Sequence, residues 1–364
     1  MRYRIESDAL GEKQIPAEAY YGIGSLRSKE AFEITKHGLL RQMIKAFASL
    51  KKAASKANLE SGFLDKKIAN AIALSCDEIL NGRLHGQFVT DLVQGGLGLA
   101  MDKNANEVIA NRANEMLGGE KGNYEFVSLK DVSLNQFPQD NIIVAGKISA
   151  IRLSKKLLVE AKKLSNAFEN HQKDLHFPNI NKAWDALNLI FEKDMKRVEE
   201  ALIPLKFIPV YFDPTKSEEL NSVFSKKYCK HLIQSSGEDL EVAKNTVENR
   251  RNLDGFAWLS SALKQMIMNL SKMATDLELM HQQNKLSLPI IEENDPFGAL
   301  EVIKQISFYI MGNDLTVARA IEAGELDENH YQPIIFACLF ESINIIRRAI
   351  RTLREQVIEG ITIN

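Results

Sequence analysis

The chain is short of several things, and each shortage excludes a class of protein. Only three cysteines occur in 364 residues, Cys76, Cys229 and Cys338, and none forms a CxxC pair. That usage argues against a disulfide framework or a metal site and predicts reduced thiols in a cytoplasmic protein. Neither charge sign dominates, since 46 Lys and Arg face 48 Asp and Glu, so no global positive field exists to recruit nucleic acid. Apolar runs stay below the roughly 18 residues of a membrane span, and the opening MRYRIESDALGEK lacks the apolar core of a secretory signal. Neither nucleic acid nor membrane is expected as a partner.

Proline is scarce where it matters. After Pro16 the next is Pro138, and none falls between Pro214 and Pro289. A proline inside a helix costs about 3 kcal/mol, so these stretches are free to form long helices. Phe256, Leu259, Leu263, Met266, Leu270, Met273, Leu277 and Met280 alternate steps of three and four, the spacing of one helix face. Leu339, Ile343, Ile346, Ile350, Leu353 and Val357 repeat the pattern up to Gly360. A third long helix is expected from Asp140 to about Phe168, with Ile148, Ile151 and Leu158 inward. Period-two alternation is scarce, and only Phe207–Phe212 reads as a short strand. Breaks are expected near 176–180, 204–214 and 286–297. The fold class is therefore mainly α, with an N-terminal domain over 1–139 and a long-helix bundle over 140–364.

The local motifs have bland readings. Gln94-Gly95-Gly96-Leu97-Gly98 lacks the Lys-Ser/Thr of a phosphate loop and reads as a tight turn. His171 and His176 have no acidic or thiolate companions for a metal. Arg347, Arg348, Arg351 and Arg354 read as a solvated helix flank. The methionines at 266, 268, 273 and 280 read as packing residues.

Longer words in the sequence carry more. RIESDALGEKQIPAEAYYGIGSLRSKEAFEIT from Arg4, DLVQGGLGLAMDKNANEVIANRANEMLGG from Asp91 and IMGNDLTVARAIEAGELDENHYQPIIFACLFESINIIRRAI from Ile310 resemble the aspartase/fumarase superfamily, aspartate ammonia-lyases most closely. The resemblance implies a long helical bundle that associates into a tetrameric core, with the active sites shared between subunits. It implies anti elimination of ammonia or water without a cofactor. A loop serine takes a proton beside a carboxylate while donors hold the developing negative charge.

Several of the family's functional positions differ here. Its hydroxyl-rich first block aligns with Leu99, Ala100, Met101, Asp102 and Lys103, leaving Asn104, Asn106 and Glu107 as matches. Its Ser-Gln-Ser-Thr/Ser-Asn-Asp aligns with Asn135-Gln136-Phe137-Pro138-Gln139-Asp140, leaving Gln136 and Asp140. LHFPNIN (175–181) stands in place of the family's Gly-Arg-Thr-His/Gln segment. In place of the base loop stands HQQNKLSLPIIEENDP, with Lys285 before Ser287 and the acidic Glu292, Glu293 and Asp295 nearby. The resemblance implies a small C-terminal helical domain as well, and none is expected here. Asn104, Gln136 and Asp140 are thus vestigial substrate-binding candidates, and Ser287 and Lys285 are the remaining catalytic candidates. The expected function is a noncatalytic relative with a structural, regulatory or binding role. It forms a homo-oligomer, a tetramer by resemblance, with co-assembly with an active paralogue open to it. The alternatives are an active lyase with a rebuilt site on an aspartate- or succinate-like substrate, and a binding module for a less charged small molecule near Leu99, Phe137 and Pro138.

Overall fold

The computed structural model describes residues 2–172, 178–210, 215–290 and 295–363. In chain order the elements are β1 (Tyr3–Asp8), β2 (Gly11–Pro16), α1 (Ile23–Ala31), α2 (Arg41–Glu60), α3 (Lys66–Leu80), α4 (Leu99–Met116), α5 (Leu129–Val132), α6 (Pro138–Gln172) and α7 (Pro178–Ala201). They continue with β3 (Phe207–Ile208), α8 (Glu218–Ser236), β4 (Glu241–Val242), α9 (Thr246–Arg251), α10 (Asp254–Gln282), β5 (Leu286–Ser287), α11 (Gly298–Glu322), α12 (Gln332–Gln356) and β6 (Thr362–Ile363). Helices dominate, as the proline spacing requires.

The chain divides into two compact units that are discontinuous in sequence. The first holds 1–149, 205–253 and 323–337, and the second holds 150–204, 254–322 and 338–364. Residue 139 lies inside α6. In the first unit α2 packs against α3, α8 and α4, and the α1 helix packs on α4. In the second, α10 packs against α11 and α7.

The long apolar stripes are where periodicity puts them. Phe256, Leu259, Leu263, Met266, Leu270, Met273 and Leu277 are buried along α10, while Met280 is half-buried and Met268 exposed. Leu339, Ile343, Ile346, Ile350 and Leu353 are buried along α12. That helix stops at Gln356, short of Gly360, which closes a following 3₁₀ turn against Pro289. On α6 the buried residue is Leu157, and Leu158 is only half-buried, because the face runs through Ser154, Leu157, Ala161, Leu164 and Phe168.

Two expectations need correction. The N-terminus forms an antiparallel β1–β2 hairpin, although the sequence shows little alternation there. Arg4 holds it by donating from Nη1 to the carbonyls of Pro16 (3.1 Å) and Ala19 (2.7 Å) and from Nη2 to that of Tyr21 (2.9 Å). These bonds depend on where the chain returns, not on any hydrophobic period. The strand expected over Phe207–Phe212 comprises only Phe207–Ile208 among the described residues, paired in parallel with β4.

Candidate functional site

The segment aligned with the family's first block opens α4. Gly96, Leu97 and Gly98 all take left-handed φ (63°, 62° and 75°), so the expected tight turn exists and leads straight into the helix. At Gly98 a side chain would also press on Pro333, at 3.2 Å, so glycine is needed there twice over.

Beyond this turn Asp102, Asn104, Asn106 and Glu107 each have an internal partner. Asp102 accepts from Asn106 Nδ2 (3.0 Å) and Asn141 Nδ2 (2.9 Å) and pairs with Lys51 Nζ at 2.7 Å. Asn104 is spent on the loop before it, accepting from Val89 N–H (2.8 Å) and donating to the Gln87 carbonyl (3.0 Å). Glu107 accepts from the N–H groups of Gly22 (2.8 Å), Gly24 (2.9 Å) and Ser25 (3.1 Å), and from the Ser25 hydroxyl. It thereby stabilises the electropositive start of α1.

The second block is equally committed. Gln136 donates from Nε2 to the Val132 carbonyl (2.8 Å) and accepts from Asn141 Nδ2 at 3.2 Å. Asp140, in the first turn of α6, is held bidentately by Arg250 at 2.6 and 3.0 Å. Arg250 also stacks over the Phe137 ring at 4.8 Å. Burial pushes the Asp140 carboxyl above the usual carboxylate range, against the pull of Arg250 and Lys147. Two turns on, buried Lys147 donates to the Phe207 carbonyl and to Asn249 Oδ1, both at 2.7 Å. Burial pushes its ammonium down to about 8, against Glu248 and Asp140. Segment 205–253 is thus fastened to the start of α6 by two cations.

Between that segment and α6 lies a cleft lined by Gln136, Phe137, Asp140, Asn141, Phe224 and Tyr228 among others, with ≈ 10 Å³ of free volume. That is about the space one water needs. A dicarboxylate does not fit it.

The catalytic candidates lie in the second unit. Ser287 is half-buried in β5 and pairs with Thr362 of β6, so it sits on a strand instead of a loop. Lys285 is exposed, with its backbone N–H on the Met280 carbonyl at 2.9 Å. Asp295 Oδ1 caps the turn into α11 by accepting from Phe297 N–H at 2.8 Å. Glu292, Glu293 and His176 lie outside the described residues.

Sequence reasoning missed Lys51, Asn141, Lys147 and Arg250. Lys51 had a signal, because Phe47, Leu50, Lys51 and Ala54 share one helical face and a charge on an otherwise apolar face calls for a partner. Arg250 had none, since its partner is 110 positions away.

A family model described as a lyase matches residues 11–176. The chain is 34% identical to aspartate ammonia-lyase of Bacillus subtilis, covering 100% of this chain and 82% of that protein. It is 32% identical to aspartate ammonia-lyase of Helicobacter pylori, over 99% of this chain and 84% of that one. A crystal structure described as fumarate lyase:delta crystallin from Brucella melitensis superposes with a TM-score of 0.92 at 29% identity, covering 100% of this chain and 89% of that one. A class II fumarase from Schistosoma mansoni shares the fold, with a TM-score of 0.92 at 21% identity. With its helical fold and full-length likeness, the chain belongs to the aspartase/fumarase superfamily of lyases, among the relatives of the aspartate ammonia-lyases.

Proposed function

We propose that this chain keeps the lyase fold but does not turn over L-aspartate, and that it acts as a noncatalytic, self-associating cytoplasmic protein. The observation that supports this reading is the filled cleft at the second family block, together with the internal bonding of both blocks. Asp102, Asn104, Gln136 and Asp140 are bonded internally, and ≈ 10 Å³ remains free. Elimination from aspartate concentrates negative charge on a carboxylate, and each missing oxyanion donor costs about 2.7–4 kcal/mol of transition-state stabilisation. Losing three or four such donors would remove most of a typical rate enhancement of about 8–23 kcal/mol.

Self-association draws support from apolar surface left open on the single chain. Within the apolar stretch Ile334–Ile346, Ile335, Phe336, Leu339, Phe340, Ile343 and Ile346 are buried in the single chain, while Ile334 and Ile345 are half-buried. The uncovered apolar face is on α11, where Phe308 is 70% and Leu315 62% exposed. A homotetramer, or co-assembly with an active paralogue, would cover it.

The test is ultraviolet detection of fumarate from L-aspartate, and of its loss with ammonia in the reverse direction. No turnover in either direction is expected. A second reading rests on relatives 30–34% identical that carry the name aspartate ammonia-lyase. It makes the chain an active lyase with a rebuilt site. Turnover abolished by Ser287→Ala or Lys285→Gln would establish that reading and overturn ours.

A further inference from the structure

Outside the two family blocks, the first unit has an open groove of ≈ 340 Å³ beside the C-terminal end of α1. Lys29, Lys36 and His37 line it together with Phe32, Glu33 and Asp91. None of the three basic side chains is ion-paired among the described residues, although neighbouring Lys13 and Arg27 each hold a carboxylate.

The loop carrying two of these groups is built, not slack. Lys36 sits at φ 57°, a left-handed conformation that a side-chain-bearing residue adopts only under constraint. Asp91 supplies that constraint. It accepts from the N–H groups of Thr35, Lys36 and Val93 (each 2.9 Å) and from the Thr35 hydroxyl (2.6 Å). Leu92 N–H adds a bond to the His37 carbonyl at 3.0 Å. Burial works against ionisation of Asp91, but these donors outweigh it and hold the carboxyl below its usual range. The four donors keep Asp91 ionised and turned onto the loop backbone. Glu33 and Asp91 are the two acidic side chains of the lining, beside three basic ones, and of the two only Asp91 is tied to the loop by hydrogen bonds among the described residues. The Phe32 ring forms an apolar floor, fixed under the position where a Gly95 side chain would lie (3.3 Å).

We propose that this groove is a binding site for a small multivalent oxyanion, a phosphate or a dicarboxylate, held by Lys29, Lys36 and His37. Two mobile ammonium groups and an imidazole suit a compact anion with several acceptor oxygens. The groove is large enough for such a ligand, and the cleft at α6 is not. The site is independent of whether the chain catalyses anything.

The experiment is calorimetric titration and thermal shift of the full chain with inorganic phosphate and, separately, succinate, against sodium chloride at matched ionic strength. Saturable binding of one of them is expected, weakened at least tenfold in Lys29→Gln/Lys36→Gln. The control Lys13→Gln, beside the groove but paired with Glu30, is expected to bind as the wild type does. A response to phosphate alone identifies a phosphate site, and a response to succinate alone identifies a carboxylate site. Because both lysines are exposed, the double variant is expected to fold, and its circular dichroism checks that. Asp91→Asn, which weakens the loop constraint, is expected to reduce affinity with Lys29 and Lys36 still present. Absence of saturation with both anions overturns the proposal, as does undiminished binding in the double variant.

Discussion

Removing Lys51 is expected to cost far more than its exposed neighbours would. Its side chain is 0% exposed and that of Asp102 2%, with 2.7 Å between them. Lys51→Met would leave a carboxylate buried with two amide donors, from Asn106 and Asn141, and no cation. Removing one partner of a buried pair costs about 3–5 kcal/mol, because the surviving charge has lost both water and counter-charge. Asp102→Asn strands the ammonium in the same way and is expected in the same range. The double variant should recover much of this loss. The remaining amide keeps one acceptor for two donors, so about one unmet hydrogen bond persists, worth about 1–3 kcal/mol. Urea unfolding followed by far-ultraviolet circular dichroism gives the three values, and the double-mutant cycle isolates the coupling. Single-variant losses that simply add, or a Lys51→Met loss below about 1 kcal/mol, would refute the claim that the pair is desolvated and mutually dependent.

Lys147 gives a pH signature. Its folded value of about 8 lies below the 10.5 of an exposed lysine, so between those values the unfolded state binds more protons and stability rises with pH. Relative to Lys147→Met, the wild type should gain up to about 1.4 kcal/mol per pH unit across that window, and identical slopes would refute it. A methyl group on Gly146 would sit 2.4 Å from the buried ring of Phe336, so Gly146→Ala should lose about 1–3 kcal/mol by overpacking. Adding Phe336→Leu should return part of that, and failure to do so would locate the strain elsewhere. Phe308→Glu combined with Leu315→Glu should shift light scattering of the chain to the monomer mass with its helicity intact. An unchanged assembly would show that the α11 face is not the contact.

How much of this was legible depends on the range of the interaction. The α10 and α12 stripes could be read because helical period is a local property, and a residue's face follows from its neighbours within two turns. The same rule, applied one position off, put Leu158 in place of Leu157 on α6. The β1–β2 hairpin was not legible. Its anchor is Arg4 reaching carbonyls 12 to 17 residues downstream, and its strands bury little on either face.

The site divides along the same line. The residue types at 97–104 and 135–140 are fixed by the sequence, and so is the absence of the family's hydroxyl donors there. The sequence could not show that the polar residues left behind have found each other. Asn141 bridges Asp102 and Gln136, and Arg250 reaches Asp140 from a different helix. It also could not show that segment 205–253 lies over the cleft, fastened through Lys147 and Arg250. Composition and period decide which faces are apolar, because desolvation acts on each residue alone. Pairing of buried charges is decided only by tertiary structure, because it takes two groups brought within about 3 Å from distant parts of the chain, and neither group's sequence neighbours record the other.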